Sequence, residues 1–220
     1  MVDEYLSERE QADQLKAWFL DNWLWLVAGI VLGLGGVFGW RWWNAHQAER
    51  SQEAEQQFSS MVDALGRNQR EEGLKLAGRI TGEYADTPYA DQTQLVLARL
   101  DIEAGDLDAA ATALKAVMDT TRDPDLALVA RLRLARVQLA KGSHDDALAT
   151  LDGIDNPAVA ARVAELRGDV MLARGKPADA LANYRLAQSA ADGGKGADGL
   201  VDQELLKLKI EELSATTAAD

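Results

Sequence analysis

The sequence predicts an all-α protein with a single transmembrane helix near its N-terminus, followed by an α-solenoid of stacked helix pairs. Three observations carry that reading. Residues 22–40 run nineteen positions without a charge. Beyond them no stretch of any length alternates polar and apolar residues as a strand would. Glycines and small residues then return at a regular pitch through the second half of the chain.

The uncharged stretch reads WLWLVAGIVLGLGGVFGW between Asn22 and Arg41. As a helix it rises about 28 Å, close to the thickness of a bilayer's hydrocarbon core. All six tryptophans lie between positions 18 and 43, with Trp23 and Trp25 at one end and Trp40, Trp42 and Trp43 at the other. Indoles prefer the two headgroup interfaces, so the sorting marks a span rather than a buried soluble helix. The segment before it is acidic and bulky Trp42 and Trp43 follow it, which is not the plan of a cleaved leader; a retained anchor is expected. Lys and Arg number two on each side (Arg9 and Lys16; Arg41 and Arg50), so charge leaves the orientation open. The expected organisation is an acidic tail over 1–21, the transmembrane helix over 22–43, a repeat domain over 44–213 and a loose tail over 214–220. No Gly or Pro interrupts 41–65, so helix is expected to continue from the span into the first pair.

Charge narrows the partners. The chain carries a net −13, and the part after Arg41 holds 20 basic against 30 acidic residues. Such a domain repels phosphate backbones, so no nucleic-acid partner is expected. Cysteine is absent, which removes disulfides, thiol catalysis and thiolate metal sites together.

After the span, apolar residues recur at helical spacing, as in Leu128, Leu132, Ala135 and Leu139 and again in Val159, Val163, Leu166 and Val170. Pro88, Pro124, Pro157 and Pro177 fall at proposed helix starts, where a missing N–H costs nothing, and Asp123 and Asn156 precede two of them as N-caps or turn formers. Gly105, Gly142 and Gly175 end the first helix of three pairs. Ala110, Ala147 and Ala180 follow, then Leu114, Leu151 and Tyr184, while Ala98, Ala135 and Gly168 precede. The last two units are offset by 33 residues and the first two by 37, the extra residues falling around Asp119–Pro124. Small residues at two marks let antiparallel helices approach, and the large one a turn later fills the gap between units. Segment 49–85 looks like a hairpin without the marks, and a closing helix is expected around Gln203–Leu213.

No residue set carries catalysis. DGGKGADG (192–199) has glycines around Lys195 but neither the spacing nor the Ser or Thr of a phosphate loop, and reads as a connecting loop. His144 with Asp145 and Asp146 reads as the start of a helix, its carboxylates complementing the dipole. His46 lies just past the span, where an amphipathic ring suits the interface. No catalytic, cofactor-binding or metal residues are expected, and no enzyme.

The small–Gly–Ala–aromatic pattern, strongest in Gly168, Gly175, Ala180, Tyr184 and Ala187, resembles the tetratricopeptide repeat; Arg131 and Gln138 depart from it, standing where large packing residues are usual. GWRWWNAHQ (39–47), LRLARVQ (132–138) and ELRGDVMLARGK (165–176) resemble the YfgM family, ancillary subunits of the bacterial SecYEG translocon. That resemblance implies a non-enzymatic adaptor in the inner membrane, its N-terminus cytoplasmic and its repeat domain periplasmic. It further implies SecYEG and a PpiD-type periplasmic chaperone as partners, and emerging secretory and outer-membrane proteins as client polypeptides. An assembly factor for envelope complexes, or a stress-response regulator, would use the same architecture.

Two surfaces stand out. Repeat alignment places Arg99 and Arg136 on the face of the stack open to a ligand, with Ile102, Leu139 and Leu172 a turn away; the same leucines would serve equally as packing between hairpins. In the span, Gly29, Gly33 and Gly36 share one face, a spacing that lets another membrane helix approach closely.

Overall fold

Local chemistry sets many of the helix termini among the described residues. The computed structural model describes residues 8–193 and 201–217. Helix α1 (Glu8–Gly66) comes first and contains the whole apolar run. Then come α2 (Arg70–Glu83), α3 (Pro88–Ala104), α4 (Leu107–Thr120), α5 (Pro124–Ala140), α6 (His144–Leu151), a 3-10 turn at Pro157–Val159, α7 (Ala160–Ala173), α8 (Pro177–Gly193) and α9 (Gln203–Thr217). Among the described residues there is no strand. All four expected prolines open helical segments. The Asp123 carboxylate accepts from the Asp125 and Leu126 N–H groups at 2.9 and 3.2 Å, and Asn156 from Ala158 at 3.0 Å, so both act as caps.

Gly105, Gly142 and Gly175 each adopt a positive φ, between 70° and 80°. The left-handed turn lets the next N–H reach back to the fifth carbonyl before it: Asp106 to Asp101, Ser143 to Gln138 and Lys176 to Met171, at 2.8–3.0 Å. The same stop signal thus ends α3, α5 and α7. Asn68 plays the equivalent part after α1, with φ 59°.

The chain divides into two units, residues up to Glu53 and residues from Ala54. In the first, α1 is long and apolar enough to cross a membrane, and no residue of its apolar stretch is buried. The second unit starts at Ala54, which is also the first buried residue among those described.

In the second unit four apolar clusters follow one another, each binding three consecutive elements. Met61, Ala77 and Ile80 join α1 to α2, with Tyr89, Val96 and Leu97 of α3 against them. Ala98, Leu114 and Leu134 join α3, α4 and α5. Ala135, Leu151 and Leu166 join α5, α6 and α7. Ala164, Tyr184 and Leu206 join α7, α8 and α9. Cores shared only between neighbours define a solenoid.

Every mark of the repeat is buried: Ala98, Ala135 and Gly168; Ala110, Ala147 and Ala180; Leu114, Leu151 and Tyr184. The longer offset between the first two units is absorbed by α4, fourteen residues against eight in α6. The first pair, which lacks the marks, has its own close approach, since a Cβ on Gly73 would stand 2.5 Å from Leu65 Cδ2. Helix α9 continues past Leu213 to Thr217, so 214–217 are helical rather than loose; Ser, Ala and Thr there include no breaker.

Candidate functional site

The face singled out by repeat alignment contains an open groove of about 400 Å³. Its floor is Leu95, Ala98 and Ile102 of α3, Leu107 at the start of α4, and Val137 and Ala140 of α5. Its charged groups are Arg99, Arg133 and Arg136. The left-handed turn at Gly105 sets the angle between α3 and α4, and the buried Ala98–Leu114–Leu134 contact seats α5 against both. Arg99 pairs with Glu103 on its own helix at 2.8 Å. Arg133 and Arg136 are exposed and make no ion pair or hydrogen bond among the described residues. Two cations and a third nearby thus border an apolar floor.

The structure brings Arg99, Ile102 and Arg136 together, as the alignment anticipated. Leu139 and Leu172 lie outside the groove: Leu139 is half-buried, and Leu172, 42% exposed, sits at the matching place on α7. Arg133 escaped the sequence reading. It stands three residues before Arg136, the spacing that shares a helix face, and that signal was available.

The departures at Arg131 and Gln138 have a purpose in the middle pair. Arg131 donates through Nε to the Thr150 carbonyl at 2.6 Å and through Nη2 to the Asp152 carbonyl. The Thr150 hydroxyl donates to Gln138 Oε1 at 2.7 Å. Because α6 stops after two turns, its last carbonyls would otherwise lack partners, and α5 supplies them. Beside this seam lies a wider groove of about 660 Å³, lined by Met118, Leu128, Asp146 and Thr150 among others.

At the third pair the charges close on themselves. Lys209 of α9 reaches Glu165 at 3.1 Å and Asp169 at 2.7 Å, both on α7. Tyr184 donates its hydroxyl to Asp169 at 2.7 Å, and its ring lies 5.2 Å from the Lys209 ammonium. Glu165 is only 3% exposed and also pairs with Arg162. Burial, reinforced by the Asp169 carboxylate, pushes the Tyr184 hydroxyl well above its ordinary value. Burial alone would lower Lys209, but Asp169 and then Glu165 outweigh it and hold the ammonium above its usual range.

In the first unit the Trp42 and His46 rings stack, centroids 5.8 Å apart and planes within 5°. The Asn22 amide donates to the Trp18 carbonyl at 2.9 Å. Gly29, Gly33 and Gly36 are exposed, and a Cβ on any of them would meet nothing within 4 Å. Within the described residues no group of three His, Asp or Glu side chains is placed to hold a metal. Asp145 pairs with Arg174 at 3.0 Å instead. The DGGKGADG loop falls, from residue 194 on, outside the described residues.

The tetratricopeptide repeat-like domain family matches residues 16–215. The chain is 33% identical over 214 residues to a protein of Escherichia coli (strain K12) named ancillary SecYEG translocon subunit, covering 97% of this chain and 100% of that one. The protein of the same name in Haemophilus influenzae is 30% identical, over 94% of this chain and 98% of its own. The one in Neisseria gonorrhoeae is 28% identical, over 95% and 98% respectively.

Proposed function

This chain belongs to the family of ancillary SecYEG translocon subunits, and from that premise we propose that it is a non-enzymatic, membrane-anchored adaptor of the Sec translocon. The observation that carries the reading is the presence of a membrane-competent helix and a repeat stack with an open groove in one family member. The apolar part of α1 crosses the bacterial inner membrane once, with the N-terminus cytoplasmic and the repeats periplasmic. Its bare Gly29–Gly33–Gly36 face packs against a helix of the channel; small residues drive such contacts because lipid tails give helices no hydrophobic reason to associate. The repeats receive emerging secretory and outer-membrane proteins and pass them to a PpiD-type chaperone. Helix-pair stacks suit this role, since they present extended surfaces to partner segments without needing chemistry.

Replacing Gly29, Gly33 and Gly36 together with Leu tests the membrane contact. Detergent co-purification of the SecYEG channel should be lost, while the variant still fractionates with membranes. Undiminished co-purification would remove the glycine face from the proposal. Failure of the parent chain to bring down the channel would remove the translocon reading itself.

A further inference from the structure

Repeats place equivalent backbone positions side by side, so one junction between successive first helices can be read against another. On α7 the two junction positions are Glu165 and Asp169, and Lys209 of α9 crosses to both. That junction is neutralised from within the chain. Stepping back by the repeat offsets of 33 and 37 residues, the same positions on α3 are Leu95 and Arg99. The charged side chains sharing their slot from α5 are Arg133 and Arg136. No carboxylate lines this slot; Glu103, a turn further along α3, holds Arg99 alone. In a chain of net charge −13, two guanidinium groups without a carboxylate partner beside an apolar floor are suited to receive an anion.

We propose that the α3–α5 groove is a docking slot for an acidic, aliphatic segment of a partner protein. Its carboxylates would take, at Arg133 and Arg136, the part that Glu165 and Asp169 take at Lys209. The proposal rests on the adaptor reading and names the chemistry of its ligand. Guanidinium forks match carboxylates in two-point geometry, and Leu95 and Ile102 beside them call for a leucine-like neighbour in the ligand. A volume of about 400 Å³ falls within the range of specific ligand sites. Nucleic acid has the wrong field around it, since the rest of the domain is acidic.

The full-length chain in nanodiscs of zwitterionic lipid provides the test. Fluorescence anisotropy would follow labelled synthetic peptides rich in Leu and Glu, with Leu–Gln and Leu–Lys peptides of equal length as controls. The Leu–Glu peptide should bind about tenfold or more tighter than Leu–Gln, and salt should narrow the gap. Arg133→Glu with Arg136→Glu should transfer the preference to Leu–Lys, and the Gln pair should abolish it, both without change in melting because the two arginines are exposed. Equal binding of Leu–Glu and Leu–Gln, or indifference to charge reversal, overturns the proposal. Release of the peptide by vesicles of anionic phospholipid, at matched charge, would assign the slot to lipid and overturn it too. Photocrosslinking from Ile102 in intact membranes separates the two levels of argument. Captured segments that are neutral or basic sink this inference and leave the adaptor standing, whereas no polypeptide captured from any position on the repeats counts against the adaptor.

Discussion

Gly168→Ala is the most exacting test of the packing. A Cβ there would stand 2.4 Å from Tyr184 Cε1, 2.5 Å from Cδ1 and 3.1 Å from Cζ. Ordinary carbon contacts lie near 3.5–4.0 Å, so the ring must retreat by about 1 Å. It has nowhere cheap to go, because Tyr184 is 0% exposed and its hydroxyl is tied to Asp169. Overpacking of this kind costs about 1–3 kcal/mol. Loosening a hydrogen bond to a charged group adds roughly 1.5–3 kcal/mol when it is lost outright. Against these stands the helix preference for Ala over Gly, about 1 kcal/mol. The net expectation is a loss of about 2–3 kcal/mol, or a fall in melting temperature of roughly 4–12 °C for a domain of this size. Thermal unfolding of the full chain in detergent, followed by circular dichroism, reads it directly.

The other two units supply the control. They place Ala98 with Leu114 and Ala135 with Leu151, so alanine is accepted wherever the partner is leucine. Gly168→Ala combined with Tyr184→Leu should therefore cost less than the sum of the single changes, by about 1–3 kcal/mol of coupling. An alanine variant as stable as the parent, or strict additivity in the double variant, would refute the reasoning, because helix propensity alone would then suffice.

Two further expectations follow from the polar seams. Arg131→Met leaves the Thr150 and Asp152 carbonyls without their donor and should cost about 2 kcal/mol; hydrogen exchange should show α6 opening before its neighbours, and unchanged protection of α6 would argue against the capping role. Tyr184 and Lys209 both hold their protons more tightly folded than unfolded, so their contribution is complete below their ordinary values of 10.0 and 10.5 and is lost as pH rises beyond them. Melting temperature should accordingly hold level up to about pH 9 and fall steeply above pH 10. Tyr184→Phe with Lys209→Met should flatten that fall, and an equally steep one in the double variant would show that other groups govern it.

Much of this was legible in the chain because the responsible signals are local. The three helix-ending glycines, the four helix-opening prolines and the small residues at close approaches act within a turn or two of themselves, and each was found where the sequence placed it. The candidate groove was only half visible. Arg99, Ile102 and Arg136 came from aligning units, but alignment treats every unit as alike. It therefore set Leu139 and Leu172 on the same open face, whereas the slot that forms between α3 and α5 is lined by other residues. Arg131 and Gln138 looked like flaws in the pattern until the shortness of α6 gave them carbonyl and hydroxyl partners.

By itself the sequence determined the membrane-competent apolar helix and the pitch of the stack, since hydropathy and backbone conformation are properties of neighbouring residues. Only the tertiary structure decided what the charges do. Arg99, Arg136 and Asp169 hold one position in three repeats, yet Asp169 meets Lys209 from 40 residues away while Arg136 shares its slot with Arg133 and meets no anion. The physical reason is reach: an ion pair across a junction depends on which side chain the next hairpin delivers within about 4 Å, and periodicity fixes the place without fixing the sign of what arrives there.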